Sequence, residues 1–214
     1  MKPDIKIAVI GGTGKAGKYL VDLLINQGYN FKALVRNPQH FAIHHDKAEI
    51  VTGNAADYNA VLSVVTGCSV VISTLGMGNP PSEPTIFSTA TNNILTAMKQ
   101  TGITRYIVIT GLNVDTTFDE KGTAVKTATA WMYANYPLST RDKQHEYELL
   151  SESDADWTLI RLPMIEQTDS EAEIIVSLTD CPGTAISATS LANFLIGQIT
   201  DKTYIKQAPF IANE

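Results

Sequence analysis

Short apolar runs alternate along the chain with longer segments in which apolar residues recur every three or four positions. The runs are typical of buried β-strands, and the recurring positions are typical of amphipathic helices. The sequence predicts strands at Ile5–Ile10, Phe31–Val35, Glu49–Thr52, Ser69–Ser73, Arg105–Thr110 and Trp157–Arg161. It predicts helices at Lys15–Gln27, Asp57–Val65, Thr85–Thr101, Thr140–Ser151 and Ser190–Gln198. This alternation indicates an α/β fold with a doubly wound parallel sheet and helices on both faces.

The length of 214 residues is consistent with a single domain, 1–214, that ends in a small C-terminal cap. Leu112–Thr127 is polar and contains glycine, so we expect a loop or a lid with marginal helix there. We expect the substrate-side cap to come mainly from 112–140 and 164–190. Near the C-terminus the pattern predicts a hairpin around Glu173–Leu178 and a closing strand at Pro209–Ala212.

Composition and charge argue against several classes of function. The formal net charge of −6 argues against non-specific nucleic-acid binding, which depends on Lys and Arg at phosphates. No apolar stretch approaches the length of a membrane span, and the N-terminal apolar run is too short for a signal peptide. Cys68 and Cys181 are isolated from each other and from paired His residues, so we expect neither a disulfide nor a metal site. We therefore expect a cytoplasmic protein, a monomer or homodimer, that acts on a small molecule.

The most informative motif is GGTGKAG at residues 11–17, directly after the first strand and at the start of the first helix. In that context a glycine-rich turn is typical of a Rossmann fold that binds a dinucleotide. Gly11 permits the tight turn, Gly14 lets the backbone approach a diphosphate, and Gly17 permits close packing of helix on sheet. The helix N-terminus then offers N–H groups to the phosphates. The predicted diphosphate-binding residues are Gly11, Thr13, Gly14, Lys15 and Ala16.

The end of the second strand bears on the choice of dinucleotide. Sites for NAD usually place a carboxylate there to hold the ribose hydroxyl groups. This chain has Val35, Arg36 and Asn37 instead, and the Arg36 guanidinium group can pair with a 2′-phosphate. The alternative is that Arg36 is only a solvated cation at a strand end. We favour NADP(H) as the cofactor.

Several segments resemble one protein family. The opening IAVIGGTGKAGKYLVDLLINQGYNFKALVRNP is similar to that of atypical short-chain dehydrogenase/reductase proteins, the NAD(P)H-binding group that includes NmrA-like proteins and biliverdin reductase B. The segments GNAAD at 53–57, VISTLG at 71–76, TGITRY at 101–106 and DWTLIRLP at 156–163 resemble further blocks of the same group. So does the stretch that begins with Ile186-Ser187 and continues at LANFL, 191–195. The resemblance covers nearly the whole chain.

The resemblance implies positions for further site residues. Asn54 and Ala55 would lie by the adenine, and Leu75 and Gly76 would lie along the ribose and diphosphate. The nicotinamide would be surrounded by Thr110, Lys143, Pro163, Met164 and Ile165. In that group Thr110 and Lys143 would be the catalytic residues.

The expected proton donor is absent from the matching position. Ser139 lies four residues before Lys143, where the wider superfamily has a tyrosine, and a serine hydroxyl is a much weaker acid than a phenol. Gly111 and Met164 replace the serine and histidine of biliverdin reductase B-like enzymes. Acceptors such as flavins or quinones require fewer catalytic groups from the protein, because the cofactor itself carries out much of the reaction.

Two functions therefore remain open at the level of sequence. The favoured one is an NADP(H)-dependent oxidoreductase that transfers hydride to a small conjugated acceptor, such as a flavin or quinone. The alternative is a non-catalytic, NADP(H)-binding redox-sensing regulator of the NmrA type. A sugar-nucleotide epimerase or dehydratase is disfavoured by the small C-terminal portion.

Overall fold

A computed structural model describes residues 5–41, 45–78 and 81–214. Within these ranges the strands are β1 Lys6–Ile10, β2 Asn30–Val35, β3 Ala48–Thr52, β4 Val70–Ser73, β5 Arg105–Gly111, β6 Asp156–Leu162, β7 Met164–Glu166, β8 Ile174–Ser177, β9 Ala185–Ser187 and β10 Phe210–Asn213. The α-helices are α1 Gly17–Asn26, α2 Tyr58–Val65, α3 Ile86–Thr101, α4 Thr123–Asn135, α5 Pro137–Glu152 and α6 Ala188–Gly197, and a short 3-10 helix spans Pro38–His40.

The main sheet has the strand order β3-β2-β1-β4-β5-β6-β10-β8 across the described residues. The six strands β1 to β6 and the strand β10 are parallel, whereas β8 pairs antiparallel with β10. A second sheet is formed by β7 and β9, which pair in parallel. This architecture confirms the predicted doubly wound α/β fold.

Both faces of the sheet are covered, which explains why β1, β4 and β5 have runs of consecutive apolar residues instead of alternating apolar and polar ones. In β1, Ile7 and Val9 pack with α1 and α6 in one core, and Ala8 and Ile10 pack with α2 and α3 in the other. These four side chains are all buried. The second core also contains α5 and the strand residues that face it.

The C-terminal half differs from expectation in four places. The segment predicted as a loop or a lid with marginal helix, Leu112–Thr127, contains the start of a regular helix, α4, which begins at Thr123 after Gly122 and has 13 residues. Only Val125 of α4 is buried, so the apolar periodicity that reveals a helix is weak there. Helix α5 begins earlier than predicted, and β8 pairs with the closing strand β10 instead of forming its own hairpin. The β7–β9 sheet was not predicted.

The segment 112–122 is anchored by a buried arginine of β6. Arg161 is 0% exposed, and its Nη1 lies 2.6 and 2.8 Å from the two carboxylate oxygens of Asp119. Its Nε donates to the Ala208 carbonyl at 2.8 Å and its Nη2 donates to the Leu178 carbonyl at 3.2 Å. The guanidinium group also lies 3.5 Å from the centre of the Phe210 ring. A charge buried this deeply is tolerated because nearly every donor has a partner.

Lys121 adds a second buried cation to the same segment. Its Nζ donates to the Val114 carbonyl at 2.9 Å and lies 2.6 Å from Asp115 and 3.5 Å from Asp119. The backbone N–H of Glu120 donates to the Thr179 carbonyl at 2.9 Å. These contacts make 112–122 a pinned connection between β5 and α4.

None of the helices in the described part of the chain is both long and apolar enough to cross a membrane.

We predict that Asp119→Asn lowers the free energy of unfolding by about 3–5 kcal/mol, because it leaves the buried Arg161 charge without its carboxylate. Urea denaturation followed by circular dichroism measures this change. Asp115→Asn is the matched control, because the Asp115 side chain is 60% exposed and its loss should cost less than about 1 kcal/mol. Equal losses in the two variants would contradict the anchoring role of Asp119.

Candidate functional site

The strand order reverses at β1, which pairs with β2 on one side and β4 on the other. Helix α1, which follows β1, packs on one face of the sheet, and α3, which follows β4, packs on the opposite face. The two connections therefore separate at the carboxyl edge and leave a crevice between them. Ligands of open α/β sheets bind at such a point.

The glycine turn touches the end of β4 at this crevice. Gly11 has a φ of +82°, a conformation that favours glycine. A Cβ at Gly11 would lie 2.7 Å from the carbonyl carbon of Thr74 and 2.8 Å from the amide nitrogen of Leu75. No larger residue fits, so this glycine brings the backbones of the two strands together.

The rest of the turn leads into the N-terminus of α1. The Gly14 N–H donates to the Gly11 carbonyl at 3.0 Å and closes the turn. A Cβ at Gly17 would overlap the Gly11 carbonyl oxygen, so helix and strand pack without a side chain between them. Thr13, Gly14 and Lys15 are exposed, and Ala16 is buried at the N-cap. Within the described residues, the N-cap residue Ala16 makes no side-chain capping hydrogen bond. The first turn of α1 contains no acidic residue.

Thr74 joins the two sides of the crevice with a hydrogen bond. Its Oγ1 donates to the Gly11 carbonyl at 3.1 Å, and its backbone N–H donates to the Ile10 carbonyl at 2.8 Å. The next two residues, Leu75 and Gly76, are half-buried and exposed respectively. The structure thus places the backbone of Leu75 beside Gly11 of the glycine turn, and Gly76 follows it along the chain.

Arg36 lies exposed at the end of β2, on the other side of β1. Its Nη1 donates to Ser82 Oγ at 3.1 Å. Ser82 belongs to the connection after β4, and its backbone N–H donates to the Met77 carbonyl at 2.7 Å. Arg36 and Ser82 therefore bridge the connections after β2 and β4, which lie on either side of the glycine turn.

Asn54 and Ala55 follow β3, next to β2. The Asn54 Oδ1 accepts from the Ala56 N–H at 3.1 Å and shapes this turn. The Ala55 carbonyl accepts from Asn93 Nδ2 at 3.1 Å, which ties the turn to α3. Ala55 is buried and Asn54 is exposed.

The other predicted residues lie at the carboxyl ends of β5 and β6. Thr110 is paired in register with Arg161. The Leu112 N–H donates to the Leu162 carbonyl at 2.9 Å and extends this pairing to the residue before Pro163. Thr110 is 4% exposed, and its Oγ1 has no hydrogen-bond partner among the described residues.

The three predicted nicotinamide-side residues after β6 differ in exposure. Pro163 is buried, Ile165 is half-buried, and Met164 is 72% exposed. Met164 and Ile165 belong to β7, where they pair with Ala185 and Ile186 of β9. The small β7–β9 sheet therefore fixes the backbone of this predicted wall.

Helix α5 places charged groups against α3. The Asp142 carboxylate accepts from the backbone N–H groups of Phe87 and Ser88, at 2.8 and 3.2 Å, and from the Ser88 hydroxyl. It thereby caps the N-terminus of α3 from another helix. Half-buried Lys143 follows, with its Nζ 4.9 Å from the centre of the Phe87 ring. Burial lowers the pKa of Lys143, and the nearby Glu146 opposes that shift.

One turn further along α5, Glu146 is 3% exposed. Its Oε1 accepts from Thr91 Oγ1 at 2.9 Å, and Thr91 Oγ1 lies 3.2 Å from the hydroxyl of Tyr106 on β5. Burial raises the pKa of Glu146 to about 8, against the opposing effects of the Thr91 hydrogen bond and Lys143. Burial also raises the pKa of Tyr106.

Sequence reasoning missed Thr74 and Ser82 at the crevice, and the buried acids Asp142 and Glu146 of α5 that contact α3. The sequence carries a signal for two of them. Asp142, Glu146 and Leu150 recur every four residues, which indicates one helix face, and Leu150 is a core residue. Two acids on the buried face of a helix require partners elsewhere in the fold.

No group of three or more His, Cys, Asp or Glu side chains in the described ranges is arranged to hold a metal ion. Both cysteines are free thiols, and burial raises the pKa of each, to about 11 for Cys68.

Comparison with known proteins places this geometry in context. A family model described as NAD(P)H-binding matches residues 11–202. The photosystem II assembly factor Ycf39 of Cyanophora paradoxa is 28% identical over 163 residues, which are 74% of this chain and 45% of Ycf39. The chain thus spans about half the length of this curated relative.

Solved structures resemble the whole chain in fold. A short-chain dehydrogenase/reductase from Veillonella parvula has a TM-score of 0.80 at 16% identity, with 98% of this chain and 94% of that chain covered. A Veillonella parvula structure in complex with NADP has a TM-score of 0.77 at 16% identity, with the same coverage of 98% and 94%. ChuY, described as an anaerobilin reductase from Escherichia coli, has a TM-score of 0.79 at 17% identity, with 97% of each chain covered.

We predict that the stability advantage of the wild type over Glu146→Gln declines as the pH rises from about 4.5 to about 8. The folded state raises the pKa of Glu146 to about 8, so it retains a proton that the unfolded chain releases. The decline is expected to be on the order of a few kcal/mol and to level off above that range. Urea denaturation at a series of pH values measures it.

Glu148→Gln is the matched control, because Glu148 is exposed on the same helix and pairs with His145 at 3.1 Å. The free energy of unfolding of this variant should differ little from that of the wild type over that pH range. A difference between the wild type and Glu146→Gln that stays constant with pH would refute the raised pKa.

Proposed function

Because the chain belongs to the NAD(P)H-binding family, we propose that it is an NADP(H)-dependent oxidoreductase that transfers hydride to a small conjugated acceptor. Flavins and quinones are the acceptor class that the site favours. The observation that carries the proposal is the contact of the glycine turn with the end of β4, where Gly11 leaves no room for a side chain. This contact leaves an exposed glycine turn in the crevice where dinucleotides bind in this fold.

The residues around the turn fit a diphosphate. The N-terminus of α1 carries the positive end of the helix dipole, which attracts phosphate groups. Within the described residues, no side-chain cap at Ala16 and no acidic residue in the first turn competes with a phosphate for this end of the helix. Gly14 is exposed and would let phosphate oxygens approach the backbone. Thr13 and Lys15, also exposed, would add a hydroxyl and a positive charge.

Arg36 supports NADP(H) over NAD(H). No carboxylate occupies the end of β2, and the Arg36 guanidinium group lies on the side of β1 where the adenosine ribose would bind. The similar Veillonella parvula protein in complex with NADP is consistent with this preference. Asn54, Ala55, Leu75 and Gly76 would line the adenosine and diphosphate portions.

The nicotinamide end would lie at the carboxyl ends of β5 and β6. When bound, the cofactor supplies the hydride, and the chain's own residues position the reactants. Pro163, Met164 and Ile165 would form one wall, held by the β7–β9 sheet. The Thr110 hydroxyl, unpartnered in the described structure, would gain a hydrogen-bond partner in the complex. Lys143 would contribute the positive charge at this end.

The side chains at the nicotinamide end favour an acceptor that needs no proton from the protein. Ser139 replaces the tyrosine acid, and its hydroxyl donates to the Tyr136 carbonyl at 3.3 Å. Gly111 and Met164 offer no side-chain proton. An acceptor that solvent can protonate after hydride transfer therefore suits the site better than a simple ketone.

The second candidate function is a non-catalytic, NADP(H)-binding regulator. The observation in its favour is a set of exposed apolar side chains on α4 and α5: Trp131 is 57% exposed, Tyr136 57% and Leu138 61%. Exposed apolar groups of this size are common at protein interfaces. The similarity to Ycf39, which is described as an assembly factor, is consistent with this alternative.

Titration of the purified chain with NADPH and NADH, followed by assays of NADPH oxidation with FMN, quinones and biliverdin, distinguishes the two candidates. Tight NADPH binding with turnover would support the oxidoreductase. Tight binding without turnover on every acceptor would favour the regulator. Absence of dinucleotide binding would refute both.

We predict that Arg36→Ala weakens NADPH binding by roughly 1.5–3 kcal/mol, or about 10- to 150-fold in Kd, because a charge-assisted pair with the 2′-phosphate is lost. NADH binding should change little, since NADH lacks that phosphate. Fluorescence titration measures both constants. Arg141→Ala, which removes an exposed arginine on α5, is the control. Equal losses for the two cofactors would contradict the assignment of Arg36.

We predict that Gly14→Val abolishes binding of both dinucleotides, because its side chain would enter the space of the diphosphate. Gly197→Ala is the control. It lies beside Gln198, whose carbonyl accepts from Arg105 at the start of β5, so it is at the opposite edge of the sheet. Circular dichroism should show that both variants fold. Unchanged NADPH titration of Gly14→Val would refute the diphosphate site.

A further inference from the structure

The turn after β5 carries a buried asparagine, Asn113, at the carboxyl edge of the sheet, where the proposed nicotinamide end lies. The Val114 N–H donates to the Gly111 carbonyl at 3.3 Å and closes this turn around Asn113. The Val114 carbonyl in turn accepts from Arg161 Nη1 at 3.2 Å and from Lys121 Nζ at 2.9 Å. The backbone that carries the Asn113 side chain is therefore held at the end of the strand.

The Asn113 carboxamide is buried without a hydrogen bond. The residue is 0% exposed, and neither its Oδ1 nor its Nδ2 atom has a partner among the described residues. A buried amide that makes no hydrogen bond is less stable than the same group in water, so folded proteins seldom leave one unpaired. An amide with both polar atoms unpaired in the protein therefore calls for a partner that binds to it.

Asn213 is a structural asparagine in the same fold. Its Oδ1 accepts from the Ser187 N–H at 2.7 Å, and its Nδ2 donates to the Ala172 and Glu173 carbonyls, each at 3.1 Å. These bonds join β10 to β9 and to the segment before β8. Asn113 makes no such bonds within the described ranges, so a structural role of this kind does not account for it.

The absence of a side chain at Gly111 gives the carboxamide its position. A Cβ at Gly111 would overlap Asn113 Oδ1 and would lie 3.4 Å from Met132 Cε of α4. The Asn113 carboxamide and the Met132 methyl group therefore share the space that a side chain at residue 111 would fill. Met132 is half-buried, and its unbranched side chain can change rotamer while the backbone stays in place. A ligand at the end of β5 would reach the carboxamide by displacing Met132.

Two further unpartnered polar atoms lie on the elements that meet at this turn. Thr110 Oγ1 belongs to β5, and Thr129 Oγ1 lies on α4 one turn before Met132, on the same face of the helix. With the two Asn113 atoms they are four of the seven buried side-chain atoms that lack a partner in the described part of the chain. The missing hydrogen bonds are thus concentrated at the end of β5 and on α4, as expected of a binding site with a few polar groups.

The chemistry of a carboxamide indicates which ligand would pair with it. The group carries an N–H donor and a carbonyl acceptor side by side, so it forms two parallel hydrogen bonds with a partner that has an N–H next to an acceptor. Among the proposed acceptors, the pyrimidine ring of a flavin has such an edge, formed by N3–H and C4=O. A quinone presents carbonyl oxygens alone and would leave the Asn113 Oδ1 atom unpaired.

We propose that Asn113 is a specificity-determining residue that binds the N3–H and C4=O edge of a flavin, and that this pairing makes flavins better acceptors than quinones. The inference rests on the proposed function and narrows its acceptor class. The carboxamide neither gains nor loses a proton in this role. NADPH supplies the hydride, solvent supplies the second proton of the reduced flavin, and Asn113 holds the ring.

The direct test compares riboflavin with 3-methylriboflavin, in which a methyl group replaces the N3 hydrogen. In NADPH oxidation by the wild type, KM should be about ten-fold lower, or more, for riboflavin, because the methylated ring cannot form both hydrogen bonds. Asn113→Leu should lose this preference, whereas Asn135→Leu, the same change at an exposed asparagine of α4, should keep it. Equal KM values for the two flavins in the wild type would overturn the proposal, whether or not Asn113→Leu folds.

Titration with NADPH separates the acceptor from the cofactor. The nicotinamide ring also bears a carboxamide, so a role of Asn113 in cofactor binding would raise the Kd for NADPH in Asn113→Leu. We expect this Kd to change by less than about three-fold. A ten-fold weaker binding of NADPH together with an intact preference for riboflavin would assign Asn113 to the cofactor and overturn the proposal.

Urea denaturation of the free chain tests whether Asn113 is unpaired before a ligand binds. Asn113→Leu replaces an unpaired amide by an apolar side chain of similar shape, so the urea midpoint should be as high as that of the wild type or higher. Asn213→Leu, the same change at the hydrogen-bonded asparagine, should lower the midpoint. Equal decreases in the two variants would show that Asn113 is bonded in the free chain and would contradict the proposal.

Failure of the proposed function and failure of this inference give different results. If the wild type oxidises no NADPH with any acceptor, the proposed function fails, and the quenching of flavin fluorescence on binding then decides the role of Asn113. Binding of riboflavin about ten-fold tighter than that of 3-methylriboflavin, with the difference lost in Asn113→Leu, would still support the assignment. Equal binding of the two flavins, or binding of neither, would overturn it.

Discussion

The contact between Gly11 and the backbone of Thr74 and Leu75 is the constraint on which the site depends. A side chain at Gly11 would collide with β4, and the hydrogen bond from the Thr74 hydroxyl to the Gly11 carbonyl fixes the approach. Since β1 is the strand at which the sheet order reverses, this contact sets the width of the crevice. The same contact directs the N-terminus of α1 toward the crevice. The packing of the glycine turn and the positive helix end at the site therefore depend on one contact.

The other half of the site is held by charges that the fold buries. Asp142 caps α3 from α5, and Arg161 with Asp119 pins the connection after β5. Buried charges of this kind cost solvation free energy and stabilise only when their hydrogen bonds are complete. Glu146 is the exception, with one carboxylate oxygen unpartnered in the described part of the chain. Glu146 follows Lys143, the lysine of the proposed site, by three residues along α5.

The sequence allowed prediction of those features that depend on neighbours along the chain. Alternating apolar patterns predicted the parallel sheet, and GGTGKAG after β1 predicted the turn that now contacts β4. Helix α4 was predicted only as marginal helix within a loop or lid, because Val125 is its only buried residue. The role of Asp142 could not be predicted either, because its partners at Phe87 and Ser88 lie 55 and 54 residues away. Likewise, an apolar strand gives no sign that Arg161 is buried with Asp119.

The central claim is that the glycine turn at the β1–β4 crevice binds NADPH. The most direct test is a ¹H–¹⁵N NMR titration of the wild-type chain with NADPH, with backbone amides assigned. If NADPH binds in the crevice, the largest chemical-shift changes will be at residues 11–17, with further changes at Arg36 and at Leu75–Gly76. Changes centred elsewhere, or none at saturating NADPH, would contradict it.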